Sequence, residues 1–274
     1  MKNHFLKNVV LFLILLSCFT VNAQSYNRII SLAPSLTKDI QLLEVQDRLV
    51  GITNYCELDG IVEVPIVASA VDVNIERIIT QQPDLVIATS LTSTETLEMM
   101  KQLGLEVKFF PLPKSFAEIN EQFIELGTLL GQTNIAHQIV NNAQKRVDIL
   151  RKESLLSGKK IFMQIGSNPL FCVIPNTFLN DYINFIDGTN IASDLRNGAI
   201  SRESVIIRDP DIIFIVTMGT IGEEETRLWK SYPHLSAVKT NRIFVIDSEK
   251  ACSPTPVNFV ETMEEIISKI AQNK

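Results

Sequence analysis

The feature that most constrains the fold of this chain is a segment that occurs twice. The first copy, NIERIITQQPDLVIATS, begins at Asn74, and the second, SRESVIIRDPDIIFIVT, begins at Ser201. Each copy has a helix-capping residue, an acid two positions later, a Pro-Asp pair and an apolar run. The two acids, Glu76 and Glu203, are 127 positions apart. Solenoid repeats span only about 20 to 50 residues, so this spacing indicates a single duplication of a larger unit.

Both copies predict a short helix followed by a buried strand. The capping residue starts the helix, the proline ends it, and the apolar run is suited to a strand covered on both faces. The same alternation begins earlier, where residues 28–33 predict a strand and Pro34-Ser35 opens a helix. Helices that alternate with strands indicate parallel sheets. We therefore predict an α/β fold of two Rossmann-like lobes, each with a central parallel sheet, and a ligand cleft between the lobes.

A long helix is predicted between the two halves. No proline or glycine lies between Gly131 and Gly158, and apolar residues recur there at helical spacing: Ile135, Ile139, Ala143, Val147 and Leu150. About 22 helical residues would span about 33 Å, and because sharp kinks need Pro, Gly or a broken hydrogen-bond ladder, we expect only small lobe motions. The predicted divisions are a signal peptide (1–23), an N-terminal lobe (24–131), a linker helix (132–157) and a C-terminal lobe (158–274).

The first residues predict export. Lys2 and Lys7 precede an apolar run over 9–16 that is too short to span a bilayer, and Ala23 offers a cleavage site. We therefore expect a signal peptide and a protein of the periplasm. The alternative is a lipoprotein anchored through Cys18, because LLSC resembles a lipobox.

The charge of the chain argues against a nucleic-acid partner. Removal of the leader with Lys2 and Lys7 would lower the formal net charge from −6 to −8, and the sequence has no basic cluster.

Three cysteines follow the predicted leader: Cys56, Cys172 and Cys252. In an oxidising compartment, three cysteines allow at most one internal disulfide. We predict a Cys172–Cys252 bond, since both residues lie in the second half. The alternative is that all three are small buried side chains without a bond.

Common enzyme signatures are absent from the sequence. It contains no G-x-G-x-x-G, no G-x-x-x-x-G-K-[ST] and no G-x-S-x-G. Only His137 and His234 follow the predicted leader, too few for an imidazole-rich metal site. We therefore expect neither catalysis nor a bound metal or resident cofactor. The alternative, an envelope enzyme on the same two lobes, would have to use Asp72, Cys56 or Lys250, which form no recognisable constellation.

Loops at the carboxyl ends of the predicted strands form the expected ligand site. In open parallel sheets, helix N-termini and loop backbone converge there, and in two facing lobes these ends would border one cleft. The loops are apolar and aromatic with few charges, which suits a large, flat ligand. The candidate ligand-binding residues are Pro34, Ser35, Tyr55, Cys56, Leu91, Leu112, Asn168, Phe171 and Met218.

The two matched acids suggest a second kind of site. The helix dipole favours an acid in a first turn by about 0.3 to 1 kcal/mol, which would explain either residue by itself. It does not require Glu76 and Glu203 to occupy the same position in both halves. The match therefore suggests a partner with two-fold symmetry that contacts both carboxylates.

Six stretches of the chain resemble a known family: RIISLAPSLTKDI, LVGITNYC, NIERIITQQPDLVIA, SNPLF, SRESV and DPDIIFI. They are similar to the substrate-binding proteins of ABC importers for cobalamin, haem and ferric siderophores, and most of all to periplasmic cobalamin-binding proteins. The resemblance implies two α/β lobes joined by a backbone helix. It also implies that Glu76 and Glu203 pair with arginines of the permease dimer, and that Tyr55 and Phe171 touch the corrin.

The resemblance is weaker around the ligand. Cobalamin-binding proteins often carry tryptophan where this chain has Val71, Thr89 and Ala199, so the aromatic cage is thinner here. Cobalamin is the expected ligand, with haem, a ferric chelate or a corrinoid precursor as alternatives. We expect a monomer whose ligand is cargo rather than a resident cofactor.

Overall fold

A computed structural model describes residues 25–58, 60, 63–69, 72–152, 156–217 and 221–272. The predicted signal peptide, Cys18, Val71 and the ligand candidate Met218 lie outside these residues. Within the described ranges, no helix combines the length and the apolar character needed to cross a membrane.

The first half folds around one parallel sheet. Its strands lie in the order β3-β2-β1-β4-β5, and every neighbouring pair is parallel. Apolar clusters cover both faces of this sheet, because successive side chains of a strand point to opposite sides. The strands are β1 (Ile29–Ser31), β2 (Leu49–Thr53), β3 (Ile66–Ala68), β4 (Leu85–Thr89) and β5 (Val107–Phe110). The helices are α1 (Pro34–Leu42), α2 (Ile75–Thr80), α3 (Thr94–Gln102) and α4 (Phe116–Leu129), followed by α5 (Thr133–Arg151).

The second half is built on a mixed sheet of order β10-β9-β6-β7, with β8 also beside β6. Its strands are β6 (Lys160–Ser167), β7 (Leu170–Cys172), β8 (Thr189–Asn190), β9 (Ile212–Ile215) and β10 (Ile243–Val245). Its helices are α6 (Phe178–Phe185), α7 (Arg202–Arg208), α8 (Ile221–Lys230), α9 (Ser236–Lys239), α10 (Ser248–Ala251) and α11 (Pro256–Ala271).

Strand β7 runs antiparallel to β6, whereas the sequence predicted parallel strands. The reason is the length of the connection, which consists of Asn168 and Pro169. A turn of two residues can join only antiparallel neighbours, since a parallel crossover needs about a dozen residues or more. The hairpin places Phe171 beside the end of β6.

A buried aromatic cluster joins the two halves. The ring of Phe116, at the start of α4, stacks on Phe259 of α11, and Phe259 stacks on Tyr182 of α6, each at 4.5 Å between centroids. The Phe116 backbone N–H donates to Asp181 Oδ2 at 2.8 Å. The first turn of α4 therefore belongs to the core of the second half, a contact that the sequence did not predict.

The linker helix α5 packs in the same layer as α4 and α11. It has 19 residues, fewer than the predicted 132–157. Its length is about 28 Å at 1.5 Å per residue. The halves are thus held together by α5 and by a shared core. Small relative motions of the halves remain a prediction.

The predicted Cys172–Cys252 disulfide is wrong, because Cys56, Cys172 and Cys252 are all free. Cys172 lies on β7 and packs in the cluster around Trp229, where burial raises the pKa of its thiol to about 11. Cys252 directly follows α10, whose Ala251 belongs to the other apolar cluster of the second half. Membership of the same half did not bring the two thiols together, because they belong to opposite faces of the sheet.

Helix α1 contains a buried carboxyl group. Asp39 of α1 is 6% exposed, and its Oδ1 has no hydrogen-bond partner among the residues that the structure describes. Burial raises the pKa of this carboxyl well above its usual value of 3.8. An acid with a raised folded-state pKa stabilises the fold fully only below the unfolded-state pKa, and that stability is lost as pH rises through the folded-state pKa.

We therefore expect Asp39→Asn to raise the melting temperature at about pH 8 and to have a smaller effect near about pH 4.5, since asparagine is uncharged at both. Each kcal/mol gained should raise Tm by about 2 to 4 °C. Calorimetric melting curves across this pH range would measure the difference. The exposed Asp47→Asn is the matched control and should show no such trend. An Asp39→Asn variant that is destabilised most at the alkaline end would contradict the prediction.

Candidate functional site

The helices α2 and α7, which carry the matched acids, begin in the same way. Asn74 Oδ1 accepts the backbone N–H of Arg77 at 2.9 Å, and Ser201 Oγ accepts that of Ser204 at 3.2 Å. These are the predicted caps, each three residues before its donor, and they fix the first turn. Glu76 and Glu203 are the second residues of their helices, and both are exposed.

The aspartate of each Pro-Asp pair has a structural role. Asp84 accepts the backbone N–H of Arg28 at 3.0 Å, and Asp211 accepts that of Lys160 at 2.9 Å. Arg28 and Lys160 stand at the starts of β1 and β6, the central strands of their sheets. Each aspartate therefore ties the segment after its acidic helix to a central strand.

The same two basic residues also hold the ends of the acidic helices. Arg28 Nε donates to the carbonyl of Gln82 at 3.0 Å, just beyond α2, and Lys160 Nζ donates to that of Arg208 at 2.7 Å. A cation is favourable at a helix C-terminus, where carbonyl groups lack partners. Caps, aspartates and basic residues together explain most of the repeated segment by the fold. The two acids are not needed for any of these contacts.

The Glu203 carboxylate is stabilised in its charged form. Its pKa is lowered from the usual value, chiefly by its own backbone N–H and next by the Ser201 hydroxyl. The group is therefore ionised at neutral pH. An exposed carboxylate at this position is suited to pairing with a cation on another molecule.

After the last strand of each sheet, the chain continues to a helix of the aromatic cluster. Only six positions separate Phe110, at the end of β5, from Phe116, so the chain between them spans at most about 20 Å. Phe259, on which Phe116 stacks, lies on α11, the second helix after the end of β10. Both sheets are therefore connected to the same cluster, which is compatible with two carboxyl edges that border one cleft.

Large apolar side chains are exposed at these edges. Tyr55, Leu91 and Leu112, which follow β2, β4 and β5, are 60%, 67% and 57% exposed, and Phe171 of β7 is 38% exposed. Because these side chains follow the ends of strands or lie beside one, they are candidates for contact with an apolar ligand. Of the other predicted residues, Pro34 and Ser35 are partly buried in the first turn of α1, and Asn168 is exposed in the hairpin turn. Their contact with a ligand remains a prediction.

Cys56 is held from below. The Thr37 hydroxyl donates to its Sγ at 3.0 Å, and Thr53 Oγ1 lies 3.2 Å from the same atom. This arrangement anchors the loop that presents Tyr55.

Nowhere in the described part of the chain do three or more His, Cys, Asp or Glu side chains form a group that could hold a metal.

Comparisons with known proteins show which protein family has this fold. The model of the family described as periplasmic binding protein matches residues 29–250. This chain belongs to that family. It is 29% identical over 221 residues to a vitamin B12-binding protein of Yersinia pestis (strain Pestoides F). The aligned residues cover 79% of this chain and 79% of that protein.

Two solved structures show the same architecture. One is from Staphylococcus epidermidis ATCC 12228 and is described as a possible iron-binding (periplasmic solute-binding) protein. It matches with a TM-score of 0.79 and 26% identity, and the match covers 90% of this chain and 99% of that one. The other is the periplasmic vitamin B12-binding protein of Vibrio cholerae, with a TM-score of 0.77 and 24% identity over 90% and 98%. The predicted α/β fold of two lobes is confirmed.

Family membership establishes the general function. This periplasmic binding protein is the substrate-binding component of an ABC importer, and proteins of its class deliver their ligand to an ABC permease. The family is a class of solute-binding proteins, which places the protein in the periplasm.

Two glycines that the sequence analysis did not single out make room for Phe171. Gly166 lies opposite Phe171 in the β6–β7 ladder. A Cβ atom at Gly198 would lie 2.7 Å from the Cys172 carbonyl oxygen and 3.1 Å from the Phe171 ring, so no larger residue fits without a shift. Sequence reasoning missed Gly198 because it is distant from Phe171 along the chain.

In each half, the aromatic loop and the acidic helix form one hydrogen-bonded unit. In the first half, the N–H of Asn54, the residue before Tyr55, donates to the Ala68 carbonyl at 3.0 Å. Ala68 in turn forms an antiparallel β-bridge with Val73, the residue before the cap of α2. In the second half, Phe171 itself bridges Ala199, two residues before Ser201. The two kinds of candidate site are therefore adjacent in both halves.

We expect Gly198→Ala to weaken ligand binding by about 1 to 3 kcal/mol, because the new methyl group displaces Phe171. Titration calorimetry with cyanocobalamin and with haemin as probes would measure the loss. Gly188→Ala also adds a methyl group to a tightly packed glycine, but it crowds Ile161 near the start of β6, away from Phe171, and serves as the control. Unchanged affinity for both probes in Gly198→Ala would show that the position of Phe171 does not matter for binding.

Proposed function

We propose that this periplasmic binding protein captures cobalamin or a related corrinoid and docks on its permease through Glu76 and Glu203. The ligand would lie between the two carboxyl edges, against Tyr55, Leu91 and Phe171. The observation that carries the proposal is the pairing in each half of an exposed aromatic residue with an exposed acid on a rigidly held helix. The vitamin B12-binding relative supports the choice of ligand.

The chemistry of the edges favours a large ligand with extensive apolar surface. Exposed aromatic and leucine side chains gain free energy by covering such a surface, at about 25 cal/mol per Å². Pro34, Ser35, Cys56, Leu112 and Asn168 complete the proposed site, as does Met218 outside the described residues. We propose that the protein acts as a monomer, without a resident cofactor.

An iron-containing ligand, haem or a ferric chelate, is the second candidate. The similarity to a protein described as possibly iron-binding, at 26% identity, supports it. The exposed Tyr55 also offers a phenol oxygen, a group that can ligate ferric iron. A corrinoid would use the Tyr55 ring for contact and would not need the oxygen.

We further propose that the protein has no catalytic activity. Two groups that an enzyme could use are engaged in other contacts. The Cys56 thiol is hydrogen-bonded to two threonine hydroxyls, and Lys250 Nζ pairs with Glu261 at 2.9 Å.

The N-terminus is proposed to be a cleaved signal peptide, with acylated Cys18 as the alternative. The intact mass of the mature protein distinguishes a chain that begins after Ala23 from a lipoprotein.

We expect Tyr55→Ala and Phe171→Ala each to weaken cyanocobalamin binding by about 1 to 3 kcal/mol, because each removes a central aromatic contact. Titration calorimetry is the measurement. Leu103→Ala is the control, since Leu103 is also exposed but follows α3 at the opposite edge of the first sheet. Full affinity in both aromatic variants would remove these residues from the site.

Tyr55→Phe separates the two ligand classes. It keeps the ring and removes the oxygen, so a corrinoid should bind nearly as before. Ferric haem ligated by the phenol should bind more weakly and lose the absorbance band of a phenolate complex. Binding of haemin and no binding of cobalamin or cobinamide by the wild-type protein would overturn the corrinoid assignment.

For docking, Glu76→Ala with Glu203→Ala should leave cyanocobalamin affinity intact and abolish stimulated uptake in vesicles that contain the permease. Each single variant should be intermediate, because each removes one charge-assisted contact. Glu95→Ala is a matched control: Glu95 is exposed and is also the second residue of a capped helix, α3, outside the repeat. Loss of ligand affinity with normal docking in the double variant would instead assign the acids to the ligand site.

A further inference from the structure

A buried polar cluster lies directly beneath the acidic helix of the second half. The Arg202 cluster consists of Arg202, Glu225, Gln164 and Trp229. Arg202 Nη2 donates to both Glu225 carboxylate oxygens, at 2.8 and 2.6 Å, and the Gln164 amide donates to Glu225 Oε2 at 2.8 Å. Trp229 Nε1 donates in turn to Gln164 Oε1 at 2.8 Å. One carboxylate thus links α7, α8 and the central strand β6.

The Arg202–Glu225 ion pair is mostly removed from water. The side chains are 17% and 8% exposed, and Gln164 and Trp229 are fully buried. The Arg202 guanidinium also lies 4.7 Å from the centre of the Trp229 ring. Burying charges is costly, so a pair of this kind adds little net stability, but moving one partner away from the other is unfavourable because a buried charge would be left unpaired.

The first half has an apolar residue at the position equivalent to Arg202. The position that corresponds to Arg202, 127 residues earlier, is Ile75, which packs against the apolar cluster of the first half. An apolar contact is therefore sufficient to seat the equivalent helix α2. The ion pair needs an explanation other than helix formation.

Arg202 and Glu203 are adjacent in the first turn of α7. Their side chains leave the helix in different directions, so that Arg202 is mostly buried and Glu203 is exposed. A rotation or slide of α7 that moved Glu203 would have to break the Arg202–Glu225 contacts. The placement of α7, and with it the position of Glu203, is thus tied to the Arg202–Glu225 pair.

We propose that Arg202 and Glu225 are a positioning pair for docking, which hold α7 so that Glu203 meets its partner on the permease. This inference rests on the proposed docking role of Glu203. The proposed role of the pair is to place Glu203, since both side chains are mostly buried. It fixes the second acid by charge, whereas the first is placed by apolar packing.

The test is the paired variant Arg202→Met with Glu225→Gln. It removes both charges together, so no buried charge is left alone, and the methionine can still pack on Trp229. The glutamine can still accept from Gln164. We expect unchanged cyanocobalamin affinity and a roughly two- to thirtyfold weaker affinity for the permease in nanodiscs. If this variant does not fold, Arg202→Ile with Glu225→Gln serves the same purpose, since it also removes both charges and places at this position the residue type of Ile75 in the first half.

The control is a second ion pair of similar geometry. Arg146 and Glu264 join α5 to α11 with contacts of 2.7 to 3.1 Å, remote from both acidic helices along the chain. Arg146→Met with Glu264→Gln should leave docking unchanged. If it weakens docking as much as the Arg202 variant does, the effect is general loss of rigidity, and the proposal is overturned.

A double-mutant cycle shows whether the pair acts through Glu203. In a Glu203→Ala background, the Arg202 variant should have little further effect on docking, because the residue it positions is gone. Additive effects would mean that the cluster acts independently of Glu203 and would overturn the inference while leaving the proposed function intact. Normal docking of Glu203→Ala alone would overturn both.

Discussion

The aromatic stack of Phe116, Phe259 and Tyr182 is the interaction on which the rest of the structure depends. It joins α4, which follows the first sheet, to α6 and α11 of the second half. Each such ring pair contributes about 0.5 to 1.5 kcal/mol beyond the area it buries. Separating the halves would expose these rings, so the spacing of the two sheets is set by a shared core. The distance between the two acidic helices follows from that spacing.

Within each half, the repeated segment divides its residues between fold and function. The cap, the Pro-Asp pair and a basic residue on the central strand fix the helix at both ends. The acid in the first turn is then held on a rigid element whose position is set by these other contacts. Adjacent backbone bridges connect the same helix to the loop with the exposed aromatic residue, so ligand site and docking site share one support.

The two halves reach similar arrangements by different physical means. The first half uses parallel strands, an aromatic residue on a loop anchored by Cys56, and apolar packing under its acidic helix. The second half uses an antiparallel hairpin, a glycine that leaves room for Phe171, and a buried ion pair. The two halves thus share an exposed acid and an exposed aromatic residue, but different contacts hold these residues in place.

The sequence by itself determined the features that depend on neighbouring residues: the caps, the prolines that end the helices, the buried strands and the period between the two acids. It also indicated the exposed loops, since these follow the strands directly. The tertiary structure alone decided which distant residues meet. Cys172 and Cys252 lie on opposite faces of a sheet, Gly198 adjoins Phe171, and Arg202 meets Glu225 from another helix. Local patterns fix conformation over a few residues, whereas these contacts depend on how whole strands and helices pack, which no short stretch of sequence encodes.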